Sequence, residues 1–267
     1  MEEADRALAR LQEHLRDLPP LAIAVSGGVD SMTLASVVHR NAAVRPIMIH
    51  AVSPAVPSSA RSVIDAHAAA EGWELTVLNA GEQDDPQYRA NPYNRCYFCK
   101  TNLYGTIRAK TDRLIASGTN LDDMAEHRPG LIAASEHEVV HPFVAARIDK
   151  ATIRAIARHL GFMEFAELPA QPCLASRIET GIAIERRDLA FIDRVEREAR
   201  ACLGQGETLR VRLRRDGVHL EVGRELAPAE RTALGLVMAR ASAADGRTYQ
   251  GISPYRTGSA FVRAEGP

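Results

Sequence analysis

The segment Ser26–Ser31, with the sequence SGGVDS, combines residue types that can bind phosphate. It lies between the apolar run Leu21–Val25, typical of a buried parallel strand, and a helical pattern that begins at Ser31. Its glycines let the backbone turn tightly and approach a ligand, and the helix start offers unpaired N–H groups. The alternative is an ordinary glycine turn that caps a helix. The candidate nucleotide-binding residues are Ser26, Gly27, Gly28, Asp30 and Ser31.

Asp30 indicates which phosphate ligand to expect. A carboxylate repels bare phosphate, but it can hold Mg²⁺ that bridges to phosphate oxygens. The segment lacks the G-K-[ST] ending of a Walker A loop. It resembles instead the PP-loop of the ATP pyrophosphatase superfamily, whose members split ATP between the α- and β-phosphates and adenylate a substrate oxygen. The resemblance implies an enzyme that uses ATP and Mg²⁺ to activate its substrate.

Three cysteines have the spacing and context of a metal or redox site. Cys96 and Cys99 form a C-x-x-C pair, which can place two sulfurs on one metal ion, and Cys173 lies in the segment Pro172–Arg177. A redox pair or two packed thiols would give the same spacing. Cys202 lies in a helix-like segment, and we expect it to be a core thiol.

Alternating helix and strand patterns predict an α/β fold for the first part of the chain. Such alternation implies crossover connections and a parallel sheet covered on both faces, with ligands at the carboxyl ends of the strands. The predicted strands are 21–25, 45–52, 74–79, 114–117 and 138–141, and the predicted helices are 3–18, 31–39, 58–71 and 149–160.

The pattern changes after about residue 165. Two short alternating segments flank the hairpin signal Asp216-Gly217, and a charged helix and a second helix lie on either side of them. The sequence therefore predicts a PP-loop domain at 1–165 and a smaller C-terminal α+β domain at 166–267, for substrate binding or oligomerisation. The predicted elements of the second domain are the helices 185–202 and 228–241 and the strands 209–213 and 218–222.

Composition limits the class of protein. Of the 267 residues, 46% are hydrophobic and 25% are charged, which is ordinary for a globular chain with a sizeable core. The formal net charge of −1 gives no overall attraction to nucleic acid, and no apolar run is long enough to cross a membrane. The acidic N-terminus does not resemble a secretory signal. We therefore expect a cytoplasmic protein that binds neither nucleic acid nor membrane.

Several further segments, in order along the chain, resemble the LarE family of ATP-dependent sulfur-insertion enzymes, which build the nickel-pincer nucleotide cofactor. The resemblance covers about residues 5 to 260. The matching segments are SGGVDS (26–31), NPYNRCYFCK (91–100), GTNLDD (118–123), RPG (128–130), PAQPCLASR (169–177), RVR (210–212), LEV (220–222) and YRTGS (255–259).

The LarE family has two forms, and this chain is similar to the second. In the first form a single cysteine gives up its own sulfur, whereas the second adds a C-x-x-C pair and resembles cluster-binding sulfur transferases. The resemblance therefore implies that Cys96, Cys99 and Cys173 ligate a 4Fe-4S cluster. Three thiolates leave one iron open for hydrosulfide. The same cysteines with a fourth ligand, such as a histidine, would instead hold zinc.

The resemblance also implies a reaction. A substrate carboxylate attacks the α-phosphorus of ATP and releases pyrophosphate, and sulfide then displaces AMP to give a thiocarboxylate. The implied substrate is pyridinium-3,5-biscarboxylic acid mononucleotide, the sulfur comes from a sulfide donor, and the implied assembly is a homo-hexamer. Gly118 is assigned to nucleotide binding.

Arginines suit the substrate phosphate and the charge at phosphorus, because their planar fork matches phosphate oxygens. Arg210 and Arg212 lie on the same face of a predicted strand, which suits a joint phosphate site. Glu221 and Asp122 are suited to metal or ribose binding, but we expect each of them to be structural. The candidate arginines are Arg177, Arg210 and Arg212.

Other classes of protein share part of this pattern. A tRNA thiolase pairs a PP-loop with three cysteines, but it needs a basic surface or an added zinc module, against which the net charge and cysteine spacing argue. An ammonia-using, amide-forming ligase would not need three cysteines. A nucleotide sensor without catalysis would not need Asp30 and the cysteine set. The chain departs from the LarE pattern at Glu126, where a shorter Asp is usual, and at Leu213–Arg215, where the family often has histidine and glycine.

Overall fold

A computed structural model of the protein describes residues 2–124, 129–169, 172–203 and 207–261. The chain divides into two compact units. The first unit consists of Met1–Ser53, Ser58–Glu82 and Asn94–Ala170, and the second of Pro54–Pro57, Gln83–Tyr93 and Gln171–Pro267. Four residues named in the family comparison lie outside the described ranges, namely Glu126, Arg128, Ala170 and Gln171.

A parallel sheet forms the centre of the first unit. Its strands are β1 (Leu21–Ala24), β2 (Ile47–Val52), β3 (Glu74–Asn79) and β4 (Leu114–Ala116). Within the described residues they are ordered β3-β2-β1-β4, and every neighbouring pair is parallel. The carboxyl ends of all four strands therefore meet at one edge of the sheet. This arrangement confirms the predicted α/β class.

Helices cover both faces of this sheet and make up much of the second unit. In α1, the spacing of Ala4, Ala7 and Leu11 produces one apolar stripe, and all three are buried. The helices in chain order are α1 (Glu2–Arg16), α2 (Val29–Asn41), α3 (Ser58–Glu71), α4 (Pro86–Arg89), α5 (Arg95–Arg108), α6 (Leu121–Met124), α7 (Pro129–Glu136), α8 (Pro142–Ala145), α9 (Lys150–His159), α10 (Met163–Ala166), α11 (Arg186–Leu203) and α12 (Pro228–Ala244).

The predicted strand at 138–141 is wrong. Of this segment, only Val140 pairs with the sheet, in an isolated parallel bridge to Ala116. Glu138 has a φ of 53°, which an extended strand does not allow, and Pro142 begins α8 immediately afterwards. The apolar pair Val139-Val140, whose pattern resembled a strand, therefore cannot continue as extended backbone on either side.

A small mixed sheet organises the second unit. Its strands are β5 (Leu209–Arg214), β6 (Gly217–Val222) and β7 (Tyr249–Pro254), in the order β5-β6-β7. β5 and β6 form the predicted antiparallel hairpin, with the turn at Arg215-Asp216. β7, which the sequence did not predict, pairs parallel to β6. Among the described helices, none has the length and apolar character needed to cross a membrane.

Candidate functional site

The turn from β1 into α2 depends on one glycine with a left-handed backbone. Gly27 has a φ of 79°, and a Cβ added there would lie 2.9 Å from the Ala60 carbonyl oxygen. Gly28 follows as the N-cap of α2 in an extended conformation. A Cβ at Gly28 would meet nothing closer than the Ser26 Oγ, at 3.6 Å. The two glycines therefore differ, because only Gly27 is required by both its φ and its close contact.

Two serine hydroxyls close this turn. The Ser31 Oγ lies 3.2 Å from the Gly28 carbonyl oxygen, to which it donates, and it accepts a 3.0 Å hydrogen bond from the Ser26 N–H. The two hydroxyl oxygens are 3.1 Å apart. Because the Ser31 proton goes to Gly28, the Ser26 hydroxyl donates to Ser31. Ser31 is buried and holds the turn together, whereas Ser26 is exposed at its surface.

A buried histidine supports the start of the turn from β2. The His50 Nδ1 lies 3.0 Å from the Val25 carbonyl oxygen, and since a carbonyl only accepts, this nitrogen carries the proton. In the described part of the chain, the buried His50 Nε2 has no hydrogen-bond partner. Burial lowers the pKa of His50, so its ring is neutral at pH 7.

Asp30, in the first turn of α2, pairs with a lysine that the sequence analysis did not identify. One of its carboxylate oxygens, Oδ2, accepts a short hydrogen bond from the Lys150 ammonium. The other, Oδ1, is buried and has no hydrogen-bond donor among the described residues. Burial raises the pKa of Asp30, while Lys150 opposes that shift and nearby Asp123 adds to it. One buried carboxylate oxygen of Asp30 is therefore without a donor in the described part of the chain.

Gly118 brings the end of β4 against the same turn. A Cβ added at Gly118 would lie 2.7 Å from the Ser31 nitrogen and 2.8 Å from the Asp30 carbonyl carbon. Only glycine allows this approach, because both atoms belong to the backbone. The Asp122 Oδ2 accepts a 3.1 Å hydrogen bond from the Lys150 N–H, which gives Asp122 a structural role at the start of α9.

A hydroxyl pair and a histidine also lie at the end of β4. The Ser117 Oγ is 3.0 Å from the Thr119 Oγ1 and 2.9 Å from the His141 Nδ1. Burial lowers the pKa of His141, against the opposing effect of Asp123. His141 is therefore a neutral hydrogen-bonding group at pH 7, and no feature of the sequence marked it.

The C-x-x-C pair lies on a helix rather than on a loop. Cys96 and Cys99 are one turn apart on α5 and both are half-buried. Residues three apart lie on one face of a helix, so both thiols face the same side. Gly130 of α7 packs closely beside them, since a Cβ there would lie 3.1 Å from the Lys100 Cγ and 3.6 Å from the Cys96 carbonyl oxygen.

Cys173 belongs to the second unit. It is exposed and precedes a short 3-10 turn, Leu174–Arg177. The Leu174 N–H donates a 2.7 Å hydrogen bond to the Ala55 carbonyl oxygen, which fixes the segment. The four cysteines, all in the described ranges, form no disulfide. Within those ranges, no cluster of three or more His, Cys, Asp or Glu side chains is arranged to hold a metal ion.

Arg177 holds the Cys173 segment in place. Its guanidinium is buried and bidentate to Glu196, with Nε and Nη2 at 2.9 and 3.1 Å from the two carboxylate oxygens. Its Nη1 donates to the carbonyl oxygens of Pro172, at 2.6 Å, and Cys173, at 3.1 Å. Burial would raise the pKa of Glu196, but Arg177 and the other nearby arginines hold it below its usual value. All three guanidinium nitrogens of Arg177 are thus engaged within the protein.

Arg210 and Arg212, on β5, belong to the same buried cluster. Arg212 donates to Glu221 at 2.9 Å and to the Ser176 carbonyl oxygen at 2.9 Å. Burial lowers the pKa of Arg210 to about 10, and Arg177 adds to that effect, so Arg210 is still charged at pH 7. The second unit therefore brings Cys173 and the three predicted arginines together.

Cys202 is not a core thiol, contrary to the prediction. It is exposed in the last turn of α11, and its Sγ donates to the Glu198 carbonyl oxygen at 3.6 Å. Ala199 is the last buried residue of that helix. The apolar stripe of α11 therefore ends one turn before Cys202.

The first unit is an α/β domain with a glycine turn and a carboxylate at the carboxyl edge of a parallel sheet. No model of a known protein family matches the sequence. The chain is 35% identical over 193 residues to the uncharacterized protein slr1717 of Synechocystis, covering 71% of this chain and 72% of that protein. It is 26% identical over 198 residues to the uncharacterized protein MJ0830 of Methanocaldococcus jannaschii, covering 72% and 75%. The chain therefore belongs to the family of the Synechocystis protein slr1717.

Proposed function

We propose that the protein is an ATP-dependent, AMP-forming sulfur transferase of the LarE type, acting on pyridinium-3,5-biscarboxylic acid mononucleotide. The observation that carries the proposal is the PP-loop-like turn Ser26–Ser31. Its Gly27 has a positive φ, a helix begins beside it, and Asp30 keeps one buried carboxylate oxygen without a donor in the described part of the chain. Such an oxygen suits a hard divalent cation.

The turn supplies what a bound polyphosphate needs. The first N–H groups of α2 point out of the helix start and carry its positive dipole end, which favours an anion there. The exposed Ser26 hydroxyl lies beside them. Mg²⁺ held by the open oxygen of Asp30 would neutralise phosphate charge and orient the α-phosphorus for attack. Gly118 and Ser31 keep the backbone of this site rigid through their close contact.

The proposed activation step forms one bond and breaks one. A substrate carboxylate oxygen attacks the α-phosphorus, and the bond to the β-phosphate oxygen breaks, so pyrophosphate leaves with the electron pair. Hydrosulfide then attacks the acyl carbon, its proton is lost, and the bond to AMP breaks. The product is a thiocarboxylate. Adenylation is needed because it replaces oxide, a poor leaving group, by AMP.

The charge balance of the second unit supports a phosphate-bearing substrate. Glu196 is shared between Arg177 and Arg200, and Glu221 between Arg212 and Arg214. Each carboxylate therefore meets two guanidinium groups, and Arg210 adds a further charge close by. Guanidinium groups that share a carboxylate suit a phosphate, because their planar forks match its oxygens. We assign this role to the phosphate of the mononucleotide.

Three cysteines are assigned to the sulfur-transfer step of the proposed reaction. Thiolates are the ligands that iron–sulfur clusters and zinc prefer, so Cys96, Cys99 and Cys173 would suit either by their donor chemistry. A cluster held by these three thiolates would supply a binding site for hydrosulfide. Arg177 then acts as a positioning residue, because it holds the carbonyl oxygen of Cys173.

Metal content tests the sulfur half directly. Protein purified without oxygen should contain iron and acid-labile sulfide, and the Cys96→Ala and Cys173→Ala variants should lose both. Cys202→Ala is the matched control, because that thiol is exposed and lies in the last turn of α11. Zinc without iron would contradict the cluster, and so would many turnovers by a Cys96→Ala/Cys99→Ala protein supplied with sulfide. A shift of tRNA at low salt would favour a tRNA thiolase instead.

A further inference from the structure

In the Asp30–Lys150 pair, the Lys150 ammonium lies beside the carboxylate that would bind a metal ion. Lys150 is the first residue of α9, next to its N-cap Asp149, and its ammonium contacts the Asp30 Oδ2. The two side chains are 31% and 25% exposed, so solvent reaches part of each. The pair joins residues 120 positions apart, so it depends on the folded arrangement of α2 and α9.

Burial and the charged groups around this pair act on the Asp30 carboxylate in opposite directions. Burial raises the pKa of Asp30, and the negative charge of Asp123 acts in the same direction. Lys150 gives the largest opposing effect. The Asp30 Oδ2 contacts the Lys150 ammonium, while its Oδ1 has no donor in the described ranges.

A divalent cation and Lys150 compete for this carboxylate. A metal ion on Asp30 repels an ammonium within hydrogen-bonding distance, and the ammonium on Asp30 repels a metal ion to the same extent. A polyphosphate at the helix start removes this conflict, because it offers the displaced ammonium a new anionic partner.

We propose that Lys150 is an exchangeable counter-ion: Asp30 gives up its ammonium for a divalent cation only when a polyphosphate is present, and the ammonium then binds that polyphosphate. This inference rests on the nucleotide half of the proposed function. It assigns Lys150 to phosphate binding and makes metal binding depend on the nucleotide. If Lys150 only stabilised the packing of α9 against α2, it would affect neither phosphate binding nor the dependence of metal binding on the nucleotide.

Two separate titrations distinguish these roles, with Lys150→Met as the variant and Lys110→Met as the matched control. Lys110 is exposed just beyond α5 and has no place in the site. Mn²⁺ alone, followed by electron paramagnetic resonance, should bind Lys150→Met about tenfold more tightly than the wild type, because a competing charge is gone. Metal-free inorganic pyrophosphate in EDTA, followed by calorimetry, should bind it about tenfold more weakly, because a cationic partner is gone.

The opposite signs of the two changes are the signature of counter-ion exchange. Equal or weaker Mn²⁺ binding by Lys150→Met would overturn the inference, and so would unchanged pyrophosphate binding. Neither titration uses a carboxylate substrate or sulfide, so sulfur transfer can fail while the inference stands. If the wild type binds both probes and the variant alters neither, the inference fails while the proposed function stands. A wild type that binds neither probe contradicts both.

A measurement on the wild type covers the case in which Lys150→Met does not fold. The chain has three lysines, Lys100, Lys110 and Lys150, so reductive methylation with ¹³C gives few signals to resolve. Adding Mg²⁺ together with pyrophosphate should shift the Lys150 signal and leave that of Lys110 in place. A Lys150 signal that stays fixed at saturating pyrophosphate would overturn the exchange.

Discussion

The carboxyl edge of the parallel sheet and the arginine cluster of the second unit handle buried charge in opposite ways. At the sheet edge, Asp30 has one cationic partner for two oxygens, and one of those oxygens has no donor among the described residues. In the second unit, both Glu196 oxygens are bonded, and Arg177 and Arg200 share them. Among the described residues, Asp30 therefore has one bonded cation for its two oxygens, whereas the carboxylate of Glu196 is shared by two arginines.

This difference indicates what each region is built to receive. A carboxylate with an open, buried oxygen is completed by a cation, and shared carboxylates among several arginines are completed by an anion. In the proposed function, a metal-bound nucleotide and a phosphate-bearing substrate would meet these two requirements. The predictions below change one region at a time.

The largest effect is expected from Glu196→Gln. The substitution leaves Arg177 and Arg200 without their shared counter-charge, and breaking a buried pair in this way costs about 3–5 kcal/mol. Denaturant unfolding measures the loss. Glu198→Gln, on the same helix but in an exposed pair with Arg194, is the matched control and should cost less than about 1 kcal/mol. Equal losses in the two variants would mean that burial of the Glu196 cluster does not matter.

Gly118→Ala is expected to have the next largest effect. Its Cβ would lie 2.7 Å from the Ser31 nitrogen, so β4 or the turn must shift, at a cost of about 1–3 kcal/mol. We expect lost stability together with weaker binding of ATP, measured by thermal unfolding with and without the nucleotide. Gly235→Ala, in α12 and outside the site, is the control, since a Cβ there meets nothing within 4 Å. If Gly118→Ala binds ATP as the wild type does, the contact has no part in the site.

A smaller effect is expected from pH, through His50. Burial lowers the pKa of His50 in the folded protein. The unfolded chain, with a histidine pKa of about 6.5, therefore binds the proton more readily, and the stability of the fold decreases as pH falls below about 6.5. His50→Gln should lose less stability than the wild type between about pH 7.5 and pH 5.5. Identical pH profiles for the two proteins would contradict this assignment.

The features that the sequence predicted well are those set by neighbouring residues. The helix at 58–71 and the strand at 74–79 have the predicted bounds, and the glycine turn lies at the end of β1 as expected. The β5–β6 hairpin was predicted from Asp216-Gly217, although the turn itself is one residue earlier. Apolar runs and turn residues act locally, so periodicity is sufficient to find them.

The features that the sequence missed depend on contacts between distant residues. Lys150 reaches Asp30 only because α9 packs beside α2, and no local pattern marks it. The apolar Val139 and Val140 resembled a strand, but the positive φ of Glu138 and the helix start at Pro142 stop it. Cys202 follows the buried stripe of α11 in sequence and yet is exposed, because the stripe ends before it.

The most direct test of the account is the product formed from ATP, sulfide and pyridinium-3,5-biscarboxylic acid mononucleotide by protein purified without oxygen. Mass spectrometry should find the substrate with a carboxylate oxygen replaced by sulfur, and pyrophosphate and AMP should form in step with it. The Asp30→Asn variant should form neither pyrophosphate nor thiolated product. Pyrophosphate release without any sulfur in the product, or a thiolated product formed without ATP, would contradict the account.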